Sequence, residues 1–600
     1  MSVSLSPVFN GYQSFLPSGL PNNGGLIYTY LAGSSTPVAT YTTPPGNIAN
    51  ANPIVLTTGG YPPQEIWLTN GVAVKFVITD ASSNTLGTYD NISSVSSIVN
   101  TTNITYNQGS TGAATITQQT KNQQVVSVTE FYANGVSGAL VDPTGAIDST
   151  AGMQDALNTG ALVYAGKGTF LYSGLTISAA TRFMGAGENS TFLQCSAVNG
   201  TGVTIGNGTN NPNDVAVSDM TLQYSTAQTS SSAVIVSNAH NVKLERLRFG
   251  GGIFNAITLN GGAQQFLYFL KNIEINSPSG SGIQVGVDGT LVQDLWISDS
   301  IVSGAAGYGI NLLNVSGFYF KDIDILACQN GLRTYPASGK EVVAGIMNNV
   351  LCDTCSDWGW NLIDNGGLVA ELSLNACWAS SCGTSTNAGG LLVNSAVGSI
   401  KGLQITGGSF TNNKGGGLVF LAGSKIDLVN VQSFCNSTAG SGLKHGIEFG
   451  AGVSDWSVIG GSSGLGGIFG TNMQGYGIMV DAGASTNYRI IGCDVTGNVT
   501  GGISDGGTGV KNIYGNQGFV TSNTGEFQLL SGTSSISVPH GLSIAPNIYD
   551  ISVTPLTNIA AGGVTTWWVS AVSATTFTVS SNTNATAGLF FSYIVRTKGA

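Results

Sequence analysis

Asn241-Val-Lys-Leu-Glu-Arg-Leu247 sets the pattern on which the fold is read. Apolar residues alternate with polar ones, and the run is short and flanked by turn residues. The same grammar returns in Lys321-Asp-Ile-Asp-Ile325, Ile426-Asp-Leu-Val-Asn-Val431 and Tyr488-Arg-Ile-Ile-Gly-Cys-Asp-Val495. The following run opens on glycine and an apolar residue: Gly282-Ile283, Gly309-Ile310, Gly331-Leu332, Gly390-Leu391, Gly446-Ile447, Gly477-Ile478, Gly502-Ile503. Period-two alternation bounded by turn residues means half-buried strands. Recurrence at about 20–30 residues means that each unit is one coil of a solenoid. No coil can bury its apolar face alone, so coils must stack. A stack of this kind presents a long rigid wall suited to gripping a polymer.

Composition agrees. Of 600 residues, 86 are glycine and only 8% are charged, about a third of the usual share. A charge repeated up a stack repels itself, whereas Asn, Ser and Thr hydrogen-bond to their copies. Hydrophobic residues make up 42%, too many for a disordered chain. The net charge of −11 offers no basic stripe for nucleic acid. No apolar run approaches the length of a membrane span. The opening Met-Ser-Val-Ser-Leu-Ser-Pro lacks a basic n-region, so no secretory leader is expected.

The eight cysteines (Cys195, Cys328, Cys352, Cys355, Cys377, Cys382, Cys435, Cys493) all fall in the repeating region. Cys352-x-x-Cys355 suits zinc or redox chemistry on spacing alone. Aligning Val350-Leu-Cys-Asp-Thr-Cys355 with Cys377-Trp-Ala-Ser-Ser-Cys382 and Cys493-Asp-Val-Thr-Gly-Asn498 points elsewhere. Cys377 and Cys493 then take small buried apolar positions, and Cys355 and Cys382 stand where Asn would stack in a turn. Free thiols are expected.

Four regions follow. Residues 1–98 carry prolines and hairpin-like strands and read as a small antiparallel β domain. Residues 99–128 are polar and nearly core-free, a neck or linker. Residues 129–522 form the solenoid; Asp148-Ser-Thr-Ala-Gly-Met-Gln-Asp-Ala-Leu157 is the one convincing helix, with Met153, Ala156 and Leu157 on one face to cap the open end of the stack. Residues 523–600 have longer strands and read as an antiparallel β-sandwich.

The chain resembles the bacteriophage tailspikes. Pro17 to Tyr41, Asn52-Pro-Ile-Val-Leu56, Pro63-Gln-Glu-Ile-Trp-Leu68 and Gly87-Thr-Tyr-Asp-Asn-Ile92 are similar to their N-terminal virion-binding domain. Val126-Ser-Val-Thr-Glu-Phe131, Asp142, Met153-Gln-Asp-Ala-Leu157 and Thr181-Arg-Phe-Met-Gly-Ala-Gly187 resemble the entry to their right-handed, pectate-lyase-like parallel β-helix. Pro539-His-Gly-Leu542 and Trp567-Trp-Val-Ser570 resemble a C-terminal domain of such spikes. The resemblance implies a homotrimer on the virion tail, assembled in the host cytoplasm and docked to a tail, connector or adaptor protein by its N-terminus. It also implies binding, and often cleavage, of a bacterial surface polysaccharide outside the cell. Non-catalytic receptor binding, lyase and deacetylase activities stay open on the same scaffold. No cofactor or metal motif is present, and neither nucleic acid nor membrane insertion is expected.

Hydrolysis of a glycosidic bond needs two carboxyl groups, about 5 Å apart for retention and roughly 6.5–9.5 Å for inversion. In so uncharged a chain, the acids gathered at Asp322, Asp324, Glu341, Asp353 and Asp357 stand out. Alternation turns Val350 and Cys352 inward and Leu351 and Asp353 outward, with Trp378 above Leu351. Asp353 and Asp357 are the expected acid and base, with Asp322, Asp324 and Glu341 in reserve. The plainer reading makes them solvated turn residues, which aspartate favours. Trp296, Tyr308, Trp358, Trp360 and Trp378 are candidate sugar-stacking platforms, with packing as the alternative. Lys444, His445 and Glu448 form a further group able to serve a lyase or hydrolase, or simply a loop between coils.

Overall fold

The computed structural model of the chain describes residues 3–95, 104–160, 162–206, 211–262, 266–395, 398–464, 471–483 and 487–597. The expected solenoid is present as a continuous parallel ladder of about 13 turns. Its register explains the glycine pattern. Ile283, Ile310, Leu332, Trp360, Leu391, Leu418, Ile447, Ile478 and Ile503 are partners on successive coils, so the glycines before them form one column. A Cβ on Gly331 would lie 2.4 Å from the Gly359 carbonyl oxygen of the next coil, and one on Gly390 2.3 Å from that of Gly417. Strands stacked about 4.8 Å apart leave no space for a methyl group at this corner.

Two further columns bend each long strand. Asp219, Arg246, Asn272, Asp299, Asp322 and Asn349 follow one another up the stack, each with φ between 50° and 62°. Asp214, Asn241, Leu267, Asp294, Gly317, Ala344 and Glu371 form the second, with φ between 50° and 70°. The left-handed region costs L-residues energy, least for Gly, Asn and Asp, whose side chains bond locally. Many aspartates of this chain are therefore corner residues.

Inside, Cys328, Cys355, Cys382, Asn413 and Asn436 share a column. Asn413 Nδ2 donates to Asn436 Oδ1 (2.9 Å), Asn436 Nδ2 to Gln474 Oε1 (2.9 Å) and Gln474 Nε2 to Asn498 Oδ1 (3.0 Å). Cysteine takes the place of the stacking amide in the lower coils, as the alignment implied. All eight cysteines are free and buried. A hydrogen bond to Cys382, together with burial, pushes the Cys355 thiol far up. Higher in the core, Phe449 stacks on Phe420 (5.0 Å) and Trp456 (3.6 Å), and Trp456 on Tyr488 (4.6 Å).

Helix Thr150–Asn158 buries Met153, Ala156 and Leu157 against the first coils, and Gln154 Nε2 donates to Thr176 O (2.7 Å). It covers the first apolar layers, as expected. A second, five-residue helix, Gln118–Asn122, buries nothing and starts from the Thr117 hydroxyl cap. Without an apolar face it left no periodicity in the sequence. Beyond the coils, two three-stranded antiparallel sheets enclose Phe577, Val579, Leu589, Phe591 and Val595.

Residues 1–125 form a separate compact unit. Its four-stranded antiparallel sheet and two-stranded pair close on Ile27, Ile54, Leu68 and Phe76. Residues 96–98 of the predicted first domain, 99–103 of the neck and 598–600 of the sandwich lie outside the described residues. No described helix is long and apolar enough to cross a membrane.

The glycine column is testable. Gly331→Ala should lower stability by about 1–3 kcal/mol, seen as a lower denaturation midpoint. Gly250→Ala, where an added methyl meets nothing within 4 Å, should leave the midpoint unchanged. The chain denatured without reductant should release eight titratable thiols; fewer would reveal a disulfide.

Candidate functional site

Each coil has two bent faces and a short-strand face. On the second bent face Ile301, Asp324, Leu351, Trp378 and Ser409 are successive register partners. Leu326 pairs with Asp353, so Asp324 and Asp353 lie diagonally, one coil apart. Burial raises the Asp324 carboxyl above its ordinary value, and the charge of Asp353 adds to this. Burial raises Asp353 as well, and its Oδ1 has no hydrogen-bond partner among the described residues. Asp357, in the turn beyond, is raised by burial and lowered by the Asn330 side chain. The charge coupling thus joins Asp353 to Asp324 rather than to Asp357.

Asp322 is a corner residue. Its carboxylate accepts Asn349 Nδ2 (2.8 Å), lies 3.4 Å from Lys321 Nζ and is held below the ordinary value chiefly by the Asn349 bond. A stabilised carboxylate is a poor proton donor. Glu341 opens strand Glu341–Asp353 at the other end of the coil, opposite Leu368.

The aromatic candidates divide. Trp296 stacks on Phe269 of the coil below (4.9 Å), with Tyr319 its partner above, forming a half-exposed stripe on the first bent face. Trp378 is half-buried beside Asp353. Trp360 is not a platform: it is 0% exposed, and its Nε1 donates inward to Trp378 O (3.2 Å). It follows a column glycine, and that position always turns into the core. Trp358, two residues earlier, is 8% exposed and lines a groove.

That groove lies on the short-strand face. Here Gln284, Asn311, Arg333, Asn361, Leu392, Val419 and Glu448 are consecutive register partners. A cavity of about 200 Å³ is lined by Trp358, Asn387, Leu392, Val419, Lys444 and Glu448. Burial raises Glu448 above 4.5; Lys444 opposes this and Asp481 of the next coil reinforces it. His445 is lowered, chiefly by burial, and its Nδ1 accepts the Tyr476 backbone N–H (3.1 Å). That neutral ring serves the backbone, so Glu448 and Lys444 are the members of the group that line the groove. Tyr308 lies at the lower end of the same face, against Arg333 (4.5 Å). Lys444 and His445 mark Glu448 in the sequence, whereas Asp481 carries no local signal: the next coil brings it alongside. Among the described residues no three His, Cys, Asp or Glu side chains converge to hold a metal ion.

Residues 136–334 match a family model described as rhamnogalacturonase A/epimerase, pectate lyase-like. No curated protein matches the sequence. Among solved structures, the fold is similar to tailspike protein 3 of bacteriophage CBA120, at 15% identity and a TM-score of 0.54, over 84% of this chain and 78% of that one. It is also similar to the tailspike protein of E. coli bacteriophage HK620 in complex with a pentasaccharide, at 10% identity and a TM-score of 0.51, over 83% and 98%. At such identities the likeness establishes a shared fold.

The raised Glu448 carboxyl has a measurable signature. Its folded form holds the proton more tightly than the unfolded chain, so its contribution to stability is present below pH 4.5 and lost as pH rises through the folded value. Glu448→Gln should therefore be more stable than the parent at pH 7, with the gap closing below about pH 4.5. Thermal denaturation across pH checks this; a gap that does not vary with pH contradicts it.

Proposed function

We propose that this chain is a bacteriophage tailspike that binds a bacterial surface polysaccharide along its short-strand face and cleaves it. The observation that carries the reading is Glu448, a carboxyl driven towards its protonated form in a groove beside Trp358 and close enough to Asp481 to feel its charge. The tailspike fold of the solved neighbours, one of them holding an oligosaccharide, supports it.

The chemistry follows from the two environments. The protonated Glu448 donates to the glycosidic oxygen as the bond to the anomeric carbon breaks and positive charge grows on the sugar ring. The Asp481 carboxylate stabilises that charge, either by activating a water or by attacking the anomeric carbon. Lys444 keeps a cation near the acid pair. Trp358 and Leu392 supply an apolar floor for a sugar face.

A second reading has its own observation: the coupled pair Asp324 and Asp353 with Trp378 above, on the second bent face. There the aspartates act as acid and base and Trp378 as platform. In both readings residues 1–98 dock to the virion tail and three copies assemble side by side. The exposed apolar residues Ile301 (45%) and Ile346 (46%) on the bent faces support subunit contact.

Incubating the protein with host surface polysaccharide and measuring reducing ends and chain length tests both. Glu448→Gln and Asp481→Asn should each slow cleavage by roughly 10²–10⁴-fold, while Asp324→Asn and Asp353→Asn retain it. The opposite result moves catalysis to the second bent face. A new ultraviolet-absorbing unsaturated end identifies a lyase, acetate release without shortening a deacetylase, and binding without either a receptor-binding fibre.

A further inference from the structure

Four coils below Glu448, about 19 Å at about 4.8 Å per coil, stands a group that the cleavage chemistry leaves unused. Arg333 is held between two aromatic rings, its guanidinium carbon 3.8 Å from the centre of the Tyr335 ring and 4.5 Å from that of Tyr308. Its Nε is buried and has no hydrogen-bond partner among the described residues. No carboxylate of the described residues forms an ion pair with it, although acids outnumber bases 30 to 19. A buried donor left without a partner is costly, and a charged one more so. An anion at the outer edge of the guanidinium offsets that cost, since Nε itself is enclosed by the protein.

The register defines the rest of the set. Asn311, Arg333 and Asn361 are direct partners on three consecutive coils. Asn361 spends its amide N–H on Asn330 Oδ1 (3.0 Å), leaving its own Oδ1 buried and unpartnered; Asn311 Oδ1 is also unpartnered. One planar cation thus lies between two acceptors, flanked by aromatic rings, on an otherwise acidic protein. Guanidinium matches carboxylate in a bidentate fork, and the rings fix its plane.

We infer that Arg333, with Asn311 and Asn361, forms an anion-binding subsite that reads a sugar carboxylate, so that the polysaccharide taken by this protein is acidic. The inference rests on the polysaccharide-binding reading above and narrows its substrate class. It is independent of which carboxyl pair cleaves.

The test uses the full-length protein on immobilised bacterial surface polysaccharides, both neutral and uronate-containing, each native and after carboxyl reduction with carbodiimide and borohydride. Uronate-containing polysaccharides should bind, and carboxyl reduction should weaken binding at least tenfold. Arg333→Ala should lose the same factor on the native polymer and nothing further on the reduced one. Arg333→Lys should fall between, because charge survives without the fork. Arg489→Ala, which removes an exposed positive charge from another face, should bind as the parent does.

Equal binding before and after reduction, or binding to neutral polysaccharides alone, overturns the subsite and leaves the tailspike reading intact; the parent protein alone decides this, whatever the variants do. A changed sedimentation of folded Arg333→Ala also overturns it, since the guanidinium then serves a neighbouring subunit. Failure to bind any polysaccharide removes both readings.

Discussion

From Gly282 to Gly502 each coil passes its backbone under the next at a corner too tight for a side chain, while Ala233 and Ala256 hold the same place on the coils below. The glycine column from Gly282 to Gly502 meets that requirement, and the rest of the structure depends on it. Once those carbonyls fit beneath the glycines above, the parallel ladders close in register and the apolar residue after each glycine turns inward. Cys355, Cys382, Asn413, Asn436 and Gln474 then stack or bridge in the interior. An amide ladder is stable only in register, because each Nδ2 needs the oxygen one coil away. Cysteine at the lower positions fills the same space as a small apolar side chain.

The same regularity governs the surface. Identical positions repeat about every 4.8 Å, so a charge placed in a column meets whatever the coil above carries. Most columns avoid the problem by being uncharged. Where charge is retained, its environment is specific: Glu448 is raised by burial and by Asp481, Asp324 by burial and by Asp353, and Arg333 is clamped between tyrosines. These three places depart from the polar monotony of the wall, and two of them share the short-strand face. In the proposed reading, with an anion subsite at one level and an acid pair at another, the wall holds a linear polymer by several of its units.

The chain alone does not fix the surroundings of its aspartates. Asp322 and Asp324 differ by two positions and both alternate outward, yet one occupies a left-handed corner under Asn349 and the other a flat face beside Asp353. Alternation gives the side of a strand and is silent on which residue takes a bend. Trp358 and Trp360 repeat the lesson: the intervening Gly359 belongs to the tight corner, so one ring lines the groove and the other fills the core. Asp481 had no local signal at all, because its relation to Glu448 crosses from one coil to the next.

The sequence by itself determined the solenoid, its sandwich-like end, the inward set of apolar residues and the alignment of Val350, Cys377 and Cys493. These follow from a repeated alternation that any stacked strand must obey. Only the tertiary structure decided which charged residues meet. Neighbours in the stack are separated by some 20 to 34 residues of chain, and a shift of one residue in a turn would exchange them. Register, set by steric contact at the glycine corner, is what joins Glu448 to Asp481 and sets Arg333 between Asn311 and Asn361.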